Sequence, residues 1–210
     1  MELKRKKPRP LSRQEGKERD ARLFIIATED THAPKQYFRL FKSSRIKIQI
    51  LPTEEGHSAP QHVMERLNEY YEGFELNEED QLWLLLDTDH WTQSSHVHNF
   101  SQVCQQAQQK GFFCGHSNPC FEIWMLLHWD EPDSNRNYSR CADVIEHLRT
   151  VKEGYSKSNP PVIDLTREDI EKAIKRAESI DEDTNPRWPS VTGTHVYKLV
   201  NQLVDHFQHS

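Results

Sequence analysis

The sequence predicts an α/β fold: a parallel sheet of about four strands flanked by helices, followed by a helical C-terminal extension. Three observations lead there. Short apolar, β-branched runs alternate with segments of helical periodicity over the first 130 residues, the β-α-β-α order of a parallel sheet covered on both faces. One run, QLWLLL at 81–86, is apolar almost throughout, as in a strand buried on both sides. Past residue 129 the strand signal stops and only helical patterns remain. The expected organisation is a basic flexible arm at 1–20, an α/β core at 21–130 and the helical extension at 131–210.

Each element has a local reason. Residues 22–27 (RLFIIA) form a buried first strand that ends in the polar cluster TEDT. Pro34 suits the start of a helix carrying Tyr37, Phe38, Leu40 and Phe41 on its apolar side. Residues 45–51 (RIKIQIL) alternate, which predicts a half-exposed strand near a sheet edge. Pro60 opens an amphipathic helix with Val63, Leu67, Tyr70 and Tyr71 facing inward. The third strand, 81–86, stops at Asp87-Thr88-Asp89, and a helix over 94–110 buries Val97, Phe100, Val103, Cys104 and Ala107. Residues 111–115 read as a fourth strand. Asn118 and Pro119 then look like the N-cap and first position of a helix reaching His128. In the extension, 139–151, 167–180 and 194–207 are helical, the second opened by Thr166 with Asp169 as a capping pair.

Composition narrows the class. Hydrophobic residues are 35% and charged residues 29%, yet five Trp, nine Phe and six Tyr supply the bulk that disordered chains lack. No apolar run approaches the ~18 residues of a membrane helix and no signal-like stretch follows the basic start, so a cytoplasmic protein without membrane contact is expected. Cys104, Cys114, Cys120 and Cys141 match neither a C-x-x-C metal pair nor a dense disulfide framework, and four reduced, packed thiols are the expectation. Twelve His include no H-E-x-x-H spacing.

Charge is unevenly placed. Residues 1–22 hold nine Lys/Arg against four acids, although the whole chain has net charge −6. Such an arm suits a polyanion through phosphate contacts, and equally a solvated tail.

In open parallel sheets the functional crevice lies beyond the C-terminal strand ends. Glu29 follows the first strand, and Asp87 and Asp89 end the third, so all three carboxylates reach that edge. Converging carboxylates without close Cys or His favour a hard cation, Mg²⁺ or Mn²⁺, with phosphoryl transfer or phosphodiester hydrolysis as its chemistry. Alone, D-x-D after a strand is also ordinary turn chemistry. The haloacid-dehalogenase-like motif is a poorer match: it needs Thr two residues after the second Asp, where Trp91 stands, and it belongs on a first strand.

Longer strings are more specific. EDTHAPKQYF at 29–38, LLDTDH at 85–90, SNPCFEIWMLLH at 117–128, GYSK at 154–157 and THVYKLV at 194–200 together resemble the RloB family. That resemblance implies a Toprim-type fold, with Glu29 in acid/base catalysis or metal binding and Asp87 and Asp89 on Mg²⁺. It also implies action on nucleic acid (DNA or RNA) beside an AAA or ABC-type ATPase, as the effector of an anti-phage defence pair, and leaves a homo-oligomer open. The family's first motif usually reads E-G-x-x-T-E-P-x-Y-F, whereas here Asp30 replaces the Gly and Pro34 the second Glu. Glu122 is a further catalytic candidate and equally a helix-start carboxylate. His90, Lys152 and Lys157 are candidate nucleic-acid contacts, each with the alternative of a solvated side chain. The rival to a Mg²⁺-dependent nuclease is a non-catalytic Toprim-like adaptor that docks on the ATPase.

Overall fold

The computed structural model describes residues 21–30, 32–53, 57–89, 91–92, 96–181 and 187–207. The basic arm at 1–20 and His90 lie outside them. Five strands form one sheet: β1 (Arg22–Thr28), β2 (Ile46–Leu51), β3 (Gln81–Asp87), β4 (Phe113–Asn118) and β5 (Gly193–Thr194), in the order β2-β1-β3-β4-β5. All neighbours are parallel except β4 with β5. The helices are α1 (Ala33–Tyr37), α2 (Pro60–Gly73), α3 (Val97–Gln109), α4 (Glu122–Leu126), α5 (Cys141–Val151), α6 (Arg167–Ile180) and α7 (Val196–Leu203), with single 3₁₀ turns at Phe38–Leu40, Val162–Asp164 and Val204–His206.

The two-residue period of a strand explains both layers. Phe24, Ile26, Trp83 and Leu85 point to one face and pack with residues of α1, α4, α5, α6 and α7. Leu23, Ile25, Ala27, Leu82, Leu84 and Leu86 point to the other and pack with Val63 and Leu67 of α2 and Phe100, Val103 and Ala107 of α3. A strand that must satisfy two helical layers has no polar position to spare, which is why β1 and β3 read as unbroken apolar runs. None of the described helices is long and apolar enough to cross a membrane.

Three local expectations are corrected. The helix expected from Asn118 and Pro119 begins only at Glu122, and β4 runs on to Asn118, because Ser117 and Asn118 pair with Thr194 and Gly193. Those pairing residues form a fifth strand, where a helix was expected from 194. Cys120 and Cys141 are joined as a disulfide with Cα atoms 5.5 Å apart, so only Cys104 and Cys114 are free thiols. Burial lifts both of these, Cys114 to about 12, which leaves them inert packing groups.

Candidate functional site

The chain leaves β1 toward β2 on one side and returns to β3 on the other, so β1 and β3 flank a topological switch point. Thr28 pairs with Leu85, which sets Glu29 beside the end of β3. The Asp87 backbone N–H donates to Glu29 Oε1 at 3.2 Å, and the Trp91 indole N–H donates to Oε2 at 3.2 Å. Glu29 is thereby oriented by two donors from the segment that carries Asp87 and Asp89.

The loop after β4 holds the other side. Phe121 N–H donates to Asp87 Oδ1 at 2.9 Å, Thr88 N–H to Ser117 O at 2.8 Å, and Asp89 N–H to Pro119 O at 3.0 Å. Asp87 is half-buried and Asp89 exposed. Two further acids, Asp30 and Glu122, border the same corner. Lys157 reaches both: its Nζ lies 3.0 Å from Asp30 Oδ2 and 3.5 Å from Glu122 Oε1. Glu122 is fully buried, and its Oε1 accepts no hydrogen bond. Nearby, the Tyr155 hydroxyl is buried without a partner.

Crowding of like charge away from water shows in the titration of these groups. Burial, and to a smaller degree the charge of Asp89, raises Glu29 to about 8 against the pull of Trp91, Asp87 N–H and Lys157. Burial and then the charges of Glu29 and Glu122 push Asp87 well above the ordinary carboxylate range. Glu122 is raised by burial, with Lys157 opposing. Lys157 is raised by the fields of Glu122 and Asp30, which outweigh its own burial.

These donors are oxygens only, and Mg²⁺ needs just one or two protein carboxylates beside water and phosphate oxygens. The oxygens of Glu29, Asp87 and Asp89 do not all lie within 4.8 Å of one another, so a Mg²⁺ at this corner would take its protein ligands from one or two of them rather than from all three. Among the described residues, the potential ligands that all lie within 4.8 Å of one another are Cys120, Glu122 and Cys141, two of them tied up in the disulfide.

The predicted residues thus separate. Glu29, Asp87, Asp89, Glu122 and Lys157 share one corner, with Lys157 engaged by carboxylates. Lys152 instead pairs with Asp164 at 3.2 Å and lies over the Trp129 ring. Sequence reasoning missed Asp30, Tyr155 and the orienting role of Trp91. Asp30 is next to Glu29 in the chain, and Tyr155 stands in the same GYSK string as Lys157, so both had a visible signal. A protein-family model described as RloB-like protein (RloB) matches residues 24–203. No curated protein and no solved structure matches the chain.

Proposed function

The chain belongs to the RloB-like family, and from that premise we propose that it is a Mg²⁺-dependent Toprim-type nuclease. On this reading it hydrolyses phosphodiester bonds in DNA or RNA, as the effector of an anti-phage defence system with an ATPase partner. The observation that carries the proposal is the placement of Glu29 against Asp87 at the β1/β3 switch point, with Asp89 on the open rim.

In the mechanism, Asp87 and Asp89 would hold Mg²⁺ (or Mn²⁺), with water and phosphate oxygens as its remaining ligands. When bound, the metal lowers the pKa of an attacking water and screens charge developing on phosphate oxygens. Glu29, oriented by the Asp87 N–H and the Trp91 indole, would take a proton from water or return one to the leaving oxygen. The amides of Phe121 and Asp87 and the Trp91 indole fix the carboxylates in advance, so little reorganisation is needed during reaction. Lys157 keeps Asp30 and Glu122 from adding their full charge to the corner.

The test is to profile total cellular DNA and RNA after inducing the wild-type chain or Asp87→Ala, with and without the ATPase partner, and then to repeat cleavage with purified protein and Mg²⁺. Cleavage lost in Asp87→Ala while the fold persists supports the nuclease. Intact nucleic acid under every metal and partner condition would leave the adaptor role in its place.

A further inference from the structure

Four cations line two adjoining surface grooves beside the edge strand β2, and among the described residues no carboxylate pairs with them. The first groove, about 460 Å³, is bordered by Lys35, Arg39, Lys42 and Lys47 and lined by Phe41 and Ile48. The second, about 570 Å³, shares Arg39 and Lys42 with the first and continues past Gln36 to Asn159. Among the described residues, no Asp or Glu lines either groove. All four cations are exposed, and among the described residues none has a carboxylate partner. Arg140, Arg167, Lys172 and Arg176 each face an acid within 4.0 Å, whereas Lys110, Arg149 and Lys175 stand singly without one among the described residues; this surface differs in gathering four such cations together. On a chain of net charge −6, four unpaired cations gathered in one place make a local field that attracts anions.

The grooves also lead somewhere. Lys35 and Gln36 sit in α1, which follows Glu29 and Asp30 by a few residues. The Gln36 side-chain amide donates to Ser158 O at 2.8 Å, binding α1 to the loop whose Lys157 pairs with Asp30. Asn159 of the second groove belongs to that loop. The cationic surface is therefore joined to the acidic corner by one short helix and one loop.

We propose that the two grooves are the track on which a single strand of nucleic acid lies as it enters the acidic corner. Its phosphates rest on Lys35, Arg39, Lys42 and Lys47, and its bases lie against the part-exposed side chains of Ile48 and Ile50. This deepens the nuclease reading and rests on it only for the strand's destination. The occupant follows from the chemistry: a single strand offers regularly spaced anions with flat apolar faces between them, matching cations along an apolar floor. An acidic peptide brings the charge without the faces, and a duplex keeps its base faces stacked inside.

The test reads binding apart from cleavage. Fluorescein-labelled single-stranded DNA and RNA of about 20 nucleotides are titrated with the full chain in EDTA, by anisotropy, between about 50 and 200 mM salt. The double variant Arg39→Gln/Lys42→Gln is expected to bind about tenfold more weakly at the lowest salt. Its slope of log affinity on log salt should be shallower by about 1.4, the loss of two phosphate contacts to a single strand. Lys110→Gln, an exposed cation at the end of α3, should bind as the wild type does, and thermal melts should show all variants folded. An unchanged affinity and slope in the double variant would overturn the proposal. So would polyglutamate that displaces the oligonucleotide equally well, charge for charge, since the surface would then be an acidic-peptide dock. Because EDTA silences metal-dependent cleavage, an absent track and an absent nuclease give different results.

Discussion

Replacing Glu29 with Gln should make the metal-free protein more stable at high pH and less stable at low pH. In the native corner, Glu29 titrates at about 8 instead of its ordinary 4.5. A group raised in this way contributes its full stability below 4.5, and that contribution is lost as the pH climbs through 8. By pH 7 the unfolded carboxyl is ionised while the native one is still largely protonated, which costs the fold about 3 kcal/mol. Above pH 8 the cost levels off at about 5 kcal/mol. Gln escapes this cost because it has no charge. It keeps one acceptor for Asp87 N–H but turns its NH₂ toward the Trp91 indole N–H, a loss of about 1–3 kcal/mol. The two curves should therefore cross between about pH 5 and 7, with Glu29→Gln ahead by about 2–4 kcal/mol at pH 9.

Urea unfolding followed by Trp fluorescence in EDTA, at pH 5, 7 and 9, measures the crossing directly. For a chain of this length each kcal/mol corresponds to about 2–4 °C in Tm, so thermal melts provide an independent reading. Adding Mg²⁺ at 100 times its Kd should return about 2.7 kcal/mol to the wild type and much less to the variant. A wild type and variant separated by a constant amount from pH 5 to 9 would refute the reasoning. Glu29 would then be solvated like any surface acid, and the case for a charged corner waiting for a cation would go with it.

Other perturbations have simpler outcomes. Cys120→Ser, or reduction of the wild type, should lower stability by about 3 kcal/mol, the loop entropy for a separation of 21 residues, read as a shift in urea midpoint. His128 is held neutral at about 4 by burial, with Nδ1 on Trp124 O and Nε2 on the Tyr37 hydroxyl, so its share of stability is present above pH 6.5 and lost as pH falls toward 4. His128→Asn should flatten acid unfolding in that window by up to about 3 kcal/mol, whatever it costs at neutral pH. Thr166→Ala removes the side-chain acceptor of the Asp169 N–H at the start of α6 and should cost about 1 kcal/mol by chemical denaturation.

What the sequence disclosed divides by the range of the interaction involved. β1 and β3 were legible because burial on both faces forces every position to be apolar, and that constraint is local. That Glu29, Asp87 and Asp89 share one edge was legible for a related reason: a parallel sheet sends its strand ends to the same side whatever the loops do. Thr166 with Asp169 announced α6 within four residues. The errors come from pairings across long stretches of chain. Asn118-Pro119 has the local appearance of a helix start, and only the pairing with Gly193, 75 residues on, extends the strand through it. Cys120 and Cys141 show no spacing signature, because their meeting depends on how α4 packs against α5.

The same distinction accounts for how the corner tolerates its charge. Asp30 and Glu122 would add two more buried acids to a place already hostile to ionisation, and the answer is a cation from 127 residues beyond Asp30. Lys157 read locally as a loop lysine because its partners are distant in the chain. Yet its pairing with Asp30 and Glu122 sets a limit on the charge at the corner, by occupying two of the five acids beside the half-buried Glu29 and Asp87 and the exposed Asp89. Among the described residues, the cations at Lys35, Arg39, Lys42 and Lys47 have no such partners. Lys157 is thus spent on two acids of the corner, while Lys35, Arg39, Lys42 and Lys47 stand together on the surface beside β2 without one among the described residues.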